Sequence, residues 1–212
     1  MKKFIFSSIV LMLCACAGYA QRHIKNQNEF GLDYGWREGN GRSYNGWYLA
    51  TNYGKLITDR FTLGTTITYE KGYKLNSIFT DTIIVSSPYE IDYKYNYENL
   101  LVDLSLSYNP IRFGEFAFWD IFLGGTIGYE DFKSFSESKR VFLIRENFER
   151  SDDLEPNLPK GSTVIGYVIG TNLKAYLGDY FSLLLQYQYR VIGKSKISKE
   201  RGYYGLGLNF NF

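Results

Sequence analysis

Histidine and cysteine are almost missing from this chain of 212 residues, which has one His and two Cys. Catalytic triads, haem ligation and histidine-rich zinc sites each need a correctly placed imidazole with partners around it, and only His23 is available. Both cysteines lie within the first 20 residues, so the rest of the chain has no thiol chemistry. This scarcity weighs against most enzyme classes. We expect no catalytic residues, no cofactor and no metal site.

A strong net charge and long apolar runs are missing as well. The chain has 24 Lys and Arg against 22 Asp and Glu, a formal net charge of +2, which gives no reason to expect direct nucleic-acid binding. Beyond residue 24, no stretch approaches the roughly 20 apolar residues that a membrane helix needs. If the chain crosses a membrane, it has to do so with strands.

The N-terminus has the pattern of an export signal. Lys2 and Lys3 give a basic start to an apolar run over residues 4–17, which is too short to span a bilayer comfortably. Small residues then precede Gln21, where a signal peptidase needs them. We therefore predict a signal peptide over residues 1–20.

Two kinds of processing fit this signal. Cleavage after Ala20 is the first, and lipidation is the second, because a run resembling a lipobox ends at Cys16. In both cases the protein leaves the cytoplasm, and residues 21–212 form the remaining domain.

Aromatic residues and glycine are abundant, with 20 Tyr, 16 Phe, 3 Trp and 21 Gly, whereas Pro is rare. This composition suits strands better than helices. In eight segments, apolar residues alternate with polar or small ones, as in membrane barrels, whose strands need about 9 to 11 residues with one lipid-facing side. Residues 21–212 are therefore predicted to form an all-β fold, an eight-stranded antiparallel outer-membrane β-barrel. The alternative is a soluble secreted β-sandwich.

The last segment shows the alternation most clearly. Its predicted outward positions are Tyr204, Leu206, Leu208, Phe210 and Phe212. The residues between them are mostly small or polar. A final Phe on such a strand has the form of the signal that the barrel-insertion machinery reads, so we expect this machinery and outer-membrane lipids as partners.

Short and long connections alternate along the chain. The predicted turns cover residues 58–60, 109–114 and 178–179, and the predicted loops cover residues 37–46, 72–92, 131–161 and 193–201. Outer-membrane barrels have short periplasmic turns and long outer loops, so both termini are expected in the periplasm. A change of phase between Tyr97 and Leu100 predicts a bulge there, or the end of a protruding extension.

The predicted inward faces carry charge. The candidate lumen residues are Asp33, Glu70, Asp103, Asp120, Glu130, Lys174 and Arg190. An eight-stranded barrel is filled by its own side chains, and unpaired charges there cost several kcal/mol. We therefore expect Arg190 and Lys174 to form ion pairs with lumen carboxylates such as Asp103 and Asp120, and we expect no conduit.

The last predicted loop is basic. It carries Lys194, Lys196, Lys199 and Arg201. DNA binding is one interpretation, but no aromatic stacking ladder interleaves these positions, so solvation or contact with anionic lipid headgroups is favoured.

Several stretches carry a resemblance to a known family. They are Ala20-Gln21-Arg22 at the end of the signal, Gly128-Tyr129-Glu130, residues 175–193 and the Gly-rich aromatic C-terminus. This layout resembles the TraO-like conjugal transfer proteins, outer-membrane components of the mating apparatus of conjugative transposons. The resemblance implies a non-enzymatic protein that anchors or organises this apparatus at the cell surface, with other conjugative transfer proteins as partners. The alternative is a general outer-membrane barrel, porin-like, structural or adhesive, unrelated to conjugation.

Overall fold

The computed structural model describes residues 28–39, 44–80, 89–113, 117–141, 161–178 and 180–212. These residues form eight strands: β1 (Asn28–Gly39), β2 (Tyr44–Leu56), β3 (Phe61–Thr80), β4 (Tyr89–Phe113), β5 (Ala117–Val141), β6 (Ser162–Tyr176), β7 (Phe181–Gly193) and β8 (Glu200–Asn211). In the described part of the chain, no helix is long and apolar enough to cross a membrane. The predicted signal peptide, with its two modes of processing, lies outside the described residues.

The barrel closes through its first and last strands. Each strand pairs antiparallel with the next, and β8 pairs with β1 from Asn211↔Glu29 to Arg201↔Gly39. At the seam, the Asn28 amide donates to the Phe212 carbonyl at 2.8 Å, and the Phe212 amide donates back at 2.9 Å. Closure satisfies the backbone groups within the sheet, which is what a strand structure needs in lipid. The predicted eight-stranded antiparallel barrel is confirmed.

Burial alternates along the strands with a period of two. On β7, the buried residues Ser182 and Leu184 alternate with the exposed residues Phe181 and Leu183. On β8 and directly after it, the five predicted outward positions lie on the outer face: Tyr204, Leu206, Leu208, Phe210 and Phe212. All eight strands expose large apolar side chains in this way. Such a continuous apolar surface suits lipid, not water, and the predicted alternative of a soluble sandwich is wrong.

Three strands extend past the others at the end opposite the termini. The β3–β4 pairing continues to Thr80↔Tyr89, and the β4–β5 pairing continues to Tyr89↔Val141. In contrast, β2 leaves β3 at Lys74 and β6 leaves β5 at Glu130. The predicted loops over residues 72–92 and 131–161 are therefore partly wrong. Outside the lipid, a strand can contact water on both faces and needs no alternation of apolar and polar residues. The sequence pattern therefore does not predict such a strand.

The bulge near Tyr97 belongs to the neighbouring strand. Asn96 pairs with Ser134 and Tyr97 pairs with Phe132, so the extra residue in the ladder, Lys133, is on β5. Tyr97 is fully buried, while Leu100 is half exposed on the outer face. The predicted bulge in β4 between Tyr97 and Leu100 is wrong, whereas the alternative, the end of a protruding extension, agrees with the pairing, because β6 leaves β5 at Glu130, the partner of Asn99. Tyr97 is a lumen aromatic, and the sequence pattern does not distinguish it from a lipid-facing one.

Two glycines at the closing seam permit close contacts, Gly35 with the backbone of β8 and Gly205 with a tyrosine side chain. Gly35 pairs with Gly205 across β1 and β8, and with Tyr48 across β1 and β2. A Cβ on Gly35 would lie 2.0 Å from the Tyr204 carbonyl oxygen, and one on Gly205 would lie 1.9 Å from the Tyr48 hydroxyl. Tyr48 packs edge to face on Tyr203, with ring centroids 5.5 Å apart. A side chain at Gly205 would disrupt this packing, and one at Gly35 would collide with the backbone of β8.

The seam gives a prediction with an internal control. Gly35→Ala should destabilise the barrel by about 1–3 kcal/mol, because its Cβ meets backbone that cannot move away. Gly125→Ala should leave stability unchanged, since a Cβ there meets nothing within 4 Å. Urea unfolding in detergent micelles, followed by heat-modifiable gel mobility, measures both variants. Equal stability of the two would contradict this role of the glycine.

Candidate functional site

The lumen is the site where charged groups converge. Ten charged side chains of the described residues are buried inside the barrel: Glu29, Asp33, Glu70, Asp103, Asp120, Glu130, Arg37, Lys174, Arg190 and Arg201. The seven predicted lumen residues are all in this set. Glu29, Arg37 and Arg201 were missed, although Glu29 and Arg37 are in phase with Asp33 on β1, which is the signal that could have found them.

Glu70 on β3 is the centre of the outer half of the lumen. Its carboxylate accepts from Arg201 Nη1 at 3.2 Å, lies 3.6 Å from Arg190 Nη1 and accepts a hydrogen bond from the Tyr203 hydroxyl. Asn99 Nδ2 donates to it at 3.0 Å. Two cations therefore share one carboxylate, which ties β3 to β7 and β8 across the barrel.

Arg190 on β7 binds the opposite wall. It forms an ion pair with Asp103 on β4 and donates to Thr68 Oγ1 at 3.0 Å. Its guanidinium lies 4.4 Å from the centre of the Tyr203 ring. Asp103 also accepts from Thr126 Oγ1 at 2.6 Å. Arg190 and Asp103 are a pair expected from the sequence.

The connection after β7 closes the outer mouth. Arg201 forms an ion pair with Glu130, which also accepts from Ser195 Oγ at 2.8 Å and from the Lys196 amide at 3.2 Å. Ile197 is buried in a cluster of its own with Tyr97 and Phe132. The prediction that Arg201 belongs to a basic outer loop is wrong, because β8 begins at Glu200 and turns this side chain inward.

A second ion-pair cluster lies in the half of the lumen near the termini. Lys174 Nζ lies 2.6 Å from Glu29 and 3.3 Å from Asp120, whose carboxylate also accepts from Asn109 at 2.8 Å. Lys174 and Asp120 are the second expected pair. Asp33 lies apart from the clusters and accepts from Asn52 Nδ2 at 2.8 Å.

A polar cavity lies in the lumen between the clusters. The volume in it that is open to water is about 60 Å³, and its polar lining includes Asn52, Gln186 and Gln188. This volume is enough for about four water molecules. Two carboxylates of its lining, Glu29 and Asp103, form ion pairs with Lys174 and Arg190. Among the described residues, no cluster has the composition of a metal site.

The sequence matches no protein-family model and no curated protein. Among solved structures, the outer membrane protein OprG from Pseudomonas aeruginosa is similar over 91% of this chain and 99% of its own, with a TM-score of 0.52 and 10% identity. The chain has the fold of the eight-stranded outer-membrane barrels. The N-terminal β-barrel domain of Pseudomonas aeruginosa OprF matches with a TM-score of 0.49 and 16% identity, over 89% of this chain and 98% of that one. Neisserial surface protein A matches with a TM-score of 0.49 and 15% identity, over 88% of this chain and 96% of its own. At these identities the likeness concerns the fold alone.

The buried pair between Arg190 and Asp103 gives the second prediction. Arg190→Leu should cost about 3–5 kcal/mol of unfolding free energy, because Asp103 is left charged and buried without its partner. Adding Asp103→Leu should recover part of this loss. The measurement is the urea midpoint of unfolding in detergent micelles. The control is Lys133→Gln, a substitution at an exposed residue, which should lower the free energy of unfolding by less than about 1 kcal/mol. An unchanged midpoint for Arg190→Leu would argue against the network.

Proposed function

We propose that this protein is a non-enzymatic barrel of the outer membrane that holds a sheet outside the cell and conducts nothing through its lumen. The observation that carries the proposal is the blocked lumen beneath a projecting sheet. Arg190 and Arg201 are fully buried and bridge opposite walls, while Lys174, also buried, reaches across to Glu29 of β1 nearer the termini. A barrel filled in this way serves as an anchor.

The outer surface supports membrane placement. Apolar side chains cover the outside of every strand, and aromatic residues gather near the termini, where Phe210 stacks on Phe212 with centroids 5.7 Å apart. Aromatic girdles of this kind mark the boundary of the lipid in outer-membrane barrels. The likeness to OprG in fold is in accord with this placement.

The long ends of β3, β4 and β5 support a role at the cell surface. Beyond the last pairing of β6 with β5 at Glu130, β4 and β5 remain paired as far as Tyr89 and Val141. At about 3.4 Å per residue, this ribbon extends about 35 Å. Because the termini and short turns are at the other end, the usual orientation of outer-membrane barrels places the ribbon outside the cell. It is the part of the described structure best placed to meet a partner.

The blocked lumen predicts an absence of channel activity. The purified barrel, reconstituted in a planar bilayer, should give no stable steps of ionic conductance, because charged pairs fill the cross-section. A porin measured in the same bilayer is the positive control. Reproducible steps from the folded barrel would refute the anchor proposal.

The orientation can be tested with two epitope insertions. An epitope placed directly after Thr80 should bind antibody on intact cells, whereas one placed after Asp59, in the turn between β2 and β3, should bind only after lysis. Flow cytometry with and without permeabilisation measures both, and heat-modifiable mobility checks that each variant folds. Labelling of the Asp59 insertion on intact cells would reverse the orientation and contradict a surface role for the ribbon.

A second candidate function is a part in conjugative transfer, and the sequence resemblance over Gly128-Tyr129-Glu130 and residues 175–193 favours it. In this role the barrel would anchor or organise the transfer apparatus, with other transfer proteins at its projecting sheet. The test is the mating frequency of a donor with an in-frame deletion of the gene. A large fall, rescued by a plasmid-borne copy, would support the role. An unchanged frequency would remove it and leave the general outer-membrane barrel.

A further inference from the structure

A buried lysine lies between two buried carboxylates in the half of the lumen near the termini. Lys174 Nζ lies 2.6 Å from Glu29 Oε2 on β1 and 3.3 Å from Asp120 Oδ2 on β5. All three residues are more than nine-tenths buried. An amine and a carboxyl group held this close differ from an amide only by one molecule of water, so the cluster has the components of a covalent cross-link.

The contacts of the two carboxylates fit them to different roles. The 2.6 Å contact between Lys174 and Glu29 is a short charge-assisted hydrogen bond, along which a proton can move. Asp120 lies farther from the lysine, and its Oδ1 accepts a hydrogen bond from Asn109 Nδ2 at 2.8 Å. This donor stabilises the negative oxygen that forms when an amine attacks the carboxyl carbon. Glu29 is therefore placed as the proton carrier, and Asp120 is placed as the electrophile.

The surroundings of the cluster favour proton transfer and leave room for the released water. Phe118 and Tyr176 are buried on the side nearer the termini, with ring centroids 5.1 Å apart. Such burial makes charged groups costly, which favours the neutral amine and acid that condensation requires. The polar cavity, whose lining includes Glu29 and Lys174, lies directly beside the cluster. A water molecule that leaves the reaction therefore has a polar space to enter.

The cluster is complete only in the closed barrel. Lys174 and Glu29 are 145 residues apart in the chain, and they meet because β6 and β1 line the same lumen. Lys174 and Asp120 are on paired strands, where Asp120 pairs with Asn172, two residues before the lysine. Closure therefore fixes all three reacting groups in contact, which replaces an encounter in solution with a much faster reaction inside one structure.

We propose that the side chains of Lys174 and Asp120 condense to an amide once the barrel has closed, with Glu29 as the proton carrier. Glu29 takes a proton from the Lys174 ammonium, and the neutral amine attacks the carboxyl carbon of Asp120. The bond from this carbon to Oδ2 then breaks. Both protons that the nitrogen loses pass through Glu29 to Oδ2, which leaves as water, while Oδ1 becomes the amide oxygen. The reaction needs no oxidant and no cofactor, and it joins β5 to β6 covalently.

The test is the mass of the intact chain before and after folding. Chain recovered from inclusion bodies in urea has never formed the barrel, so it should have the full mass. After refolding in detergent micelles, most molecules should lose the mass of one water molecule. Because the same chain is measured twice, processing of its N-terminus does not affect the difference. A barrel that is folded by heat-modifiable mobility and keeps the full mass would overturn the proposal.

Peptide mass spectrometry locates the bond. Digestion of the folded barrel should release a branched peptide that joins the segments around Lys174 and Asp120, and a branch from Lys174 to Glu29 would overturn the assigned roles. The controls are two exposed ion pairs of similar length, Lys71–Glu98 at 3.0 Å and Lys133–Asp131 at 2.7 Å. Water solvates the charges of these pairs, so no branched peptide should form there. Branches at the exposed pairs would contradict the requirement for a buried site.

Conservative variants separate the reaction from the ion pairs. Lys174→Arg keeps the positive charge, but a guanidinium does not lose its proton at neutral pH, so the folded variant should keep the full mass. Glu29→Gln keeps the shape of the side chain without the proton carrier, so the loss of water should slow about a hundredfold.

The matched control for these variants is Asp33→Asn, which changes a lumen carboxylate outside the cluster and should lose water as fast as the unchanged chain. Loss of water at the unchanged rate in Glu29→Gln would contradict the role of Glu29 as the proton carrier. If Lys174→Arg does not fold, the mass of the unchanged chain still decides the proposal.

Discussion

Each charge inside the barrel has to find its partner on another strand, because the wall separates it from both lipid and bulk water. The partners lie far apart along the chain: Arg190 of β7 meets Asp103 of β4, and Lys174 of β6 meets Glu29 of β1. None of these pairs can form in an open sheet. The cost of burying the charges is therefore offset only after closure, which couples the lumen network to the seam between β1 and β8.

The sequence predicts the part of the molecule that touches lipid. Apolar residues at every second position, such as Leu206 and Phe210, identify the strands. Acids at the positions between apolar residues, such as Asp103, are thereby predicted to face the lumen. This works because a strand between lipid and a polar interior has two chemically different faces. The same rule explains both expected ion pairs, since only opposite charges are stable in so narrow a lumen.

The prediction fails where this contrast between the faces disappears. Outside the lipid, the ends of β3 and β5 need no apolar face, so the sequence predicts loops there. The sequence places Arg201 in a surface loop because it follows a lysine-rich run, while its own position, in phase with Tyr203, turns it inward. The prediction also fails at Tyr97, which faces the lumen. An aromatic residue fits lipid or a packed lumen equally well, and only the pairing of strands decides between them.

The hydrogen bonds between Asn28 and Phe212 have a consequence for the order of the strands. Because of them, β1 and β8 pair in the same way as the other seven pairs of adjacent strands. The closed sheet therefore has no structural beginning or end. The described strand set is therefore compatible with circular permutation: a linker joining Asn28 to Phe212, with a new opening at the turn near Gly178, would keep every strand beside its present neighbours. The barrel architecture itself therefore does not require the chain to open between β8 and β1.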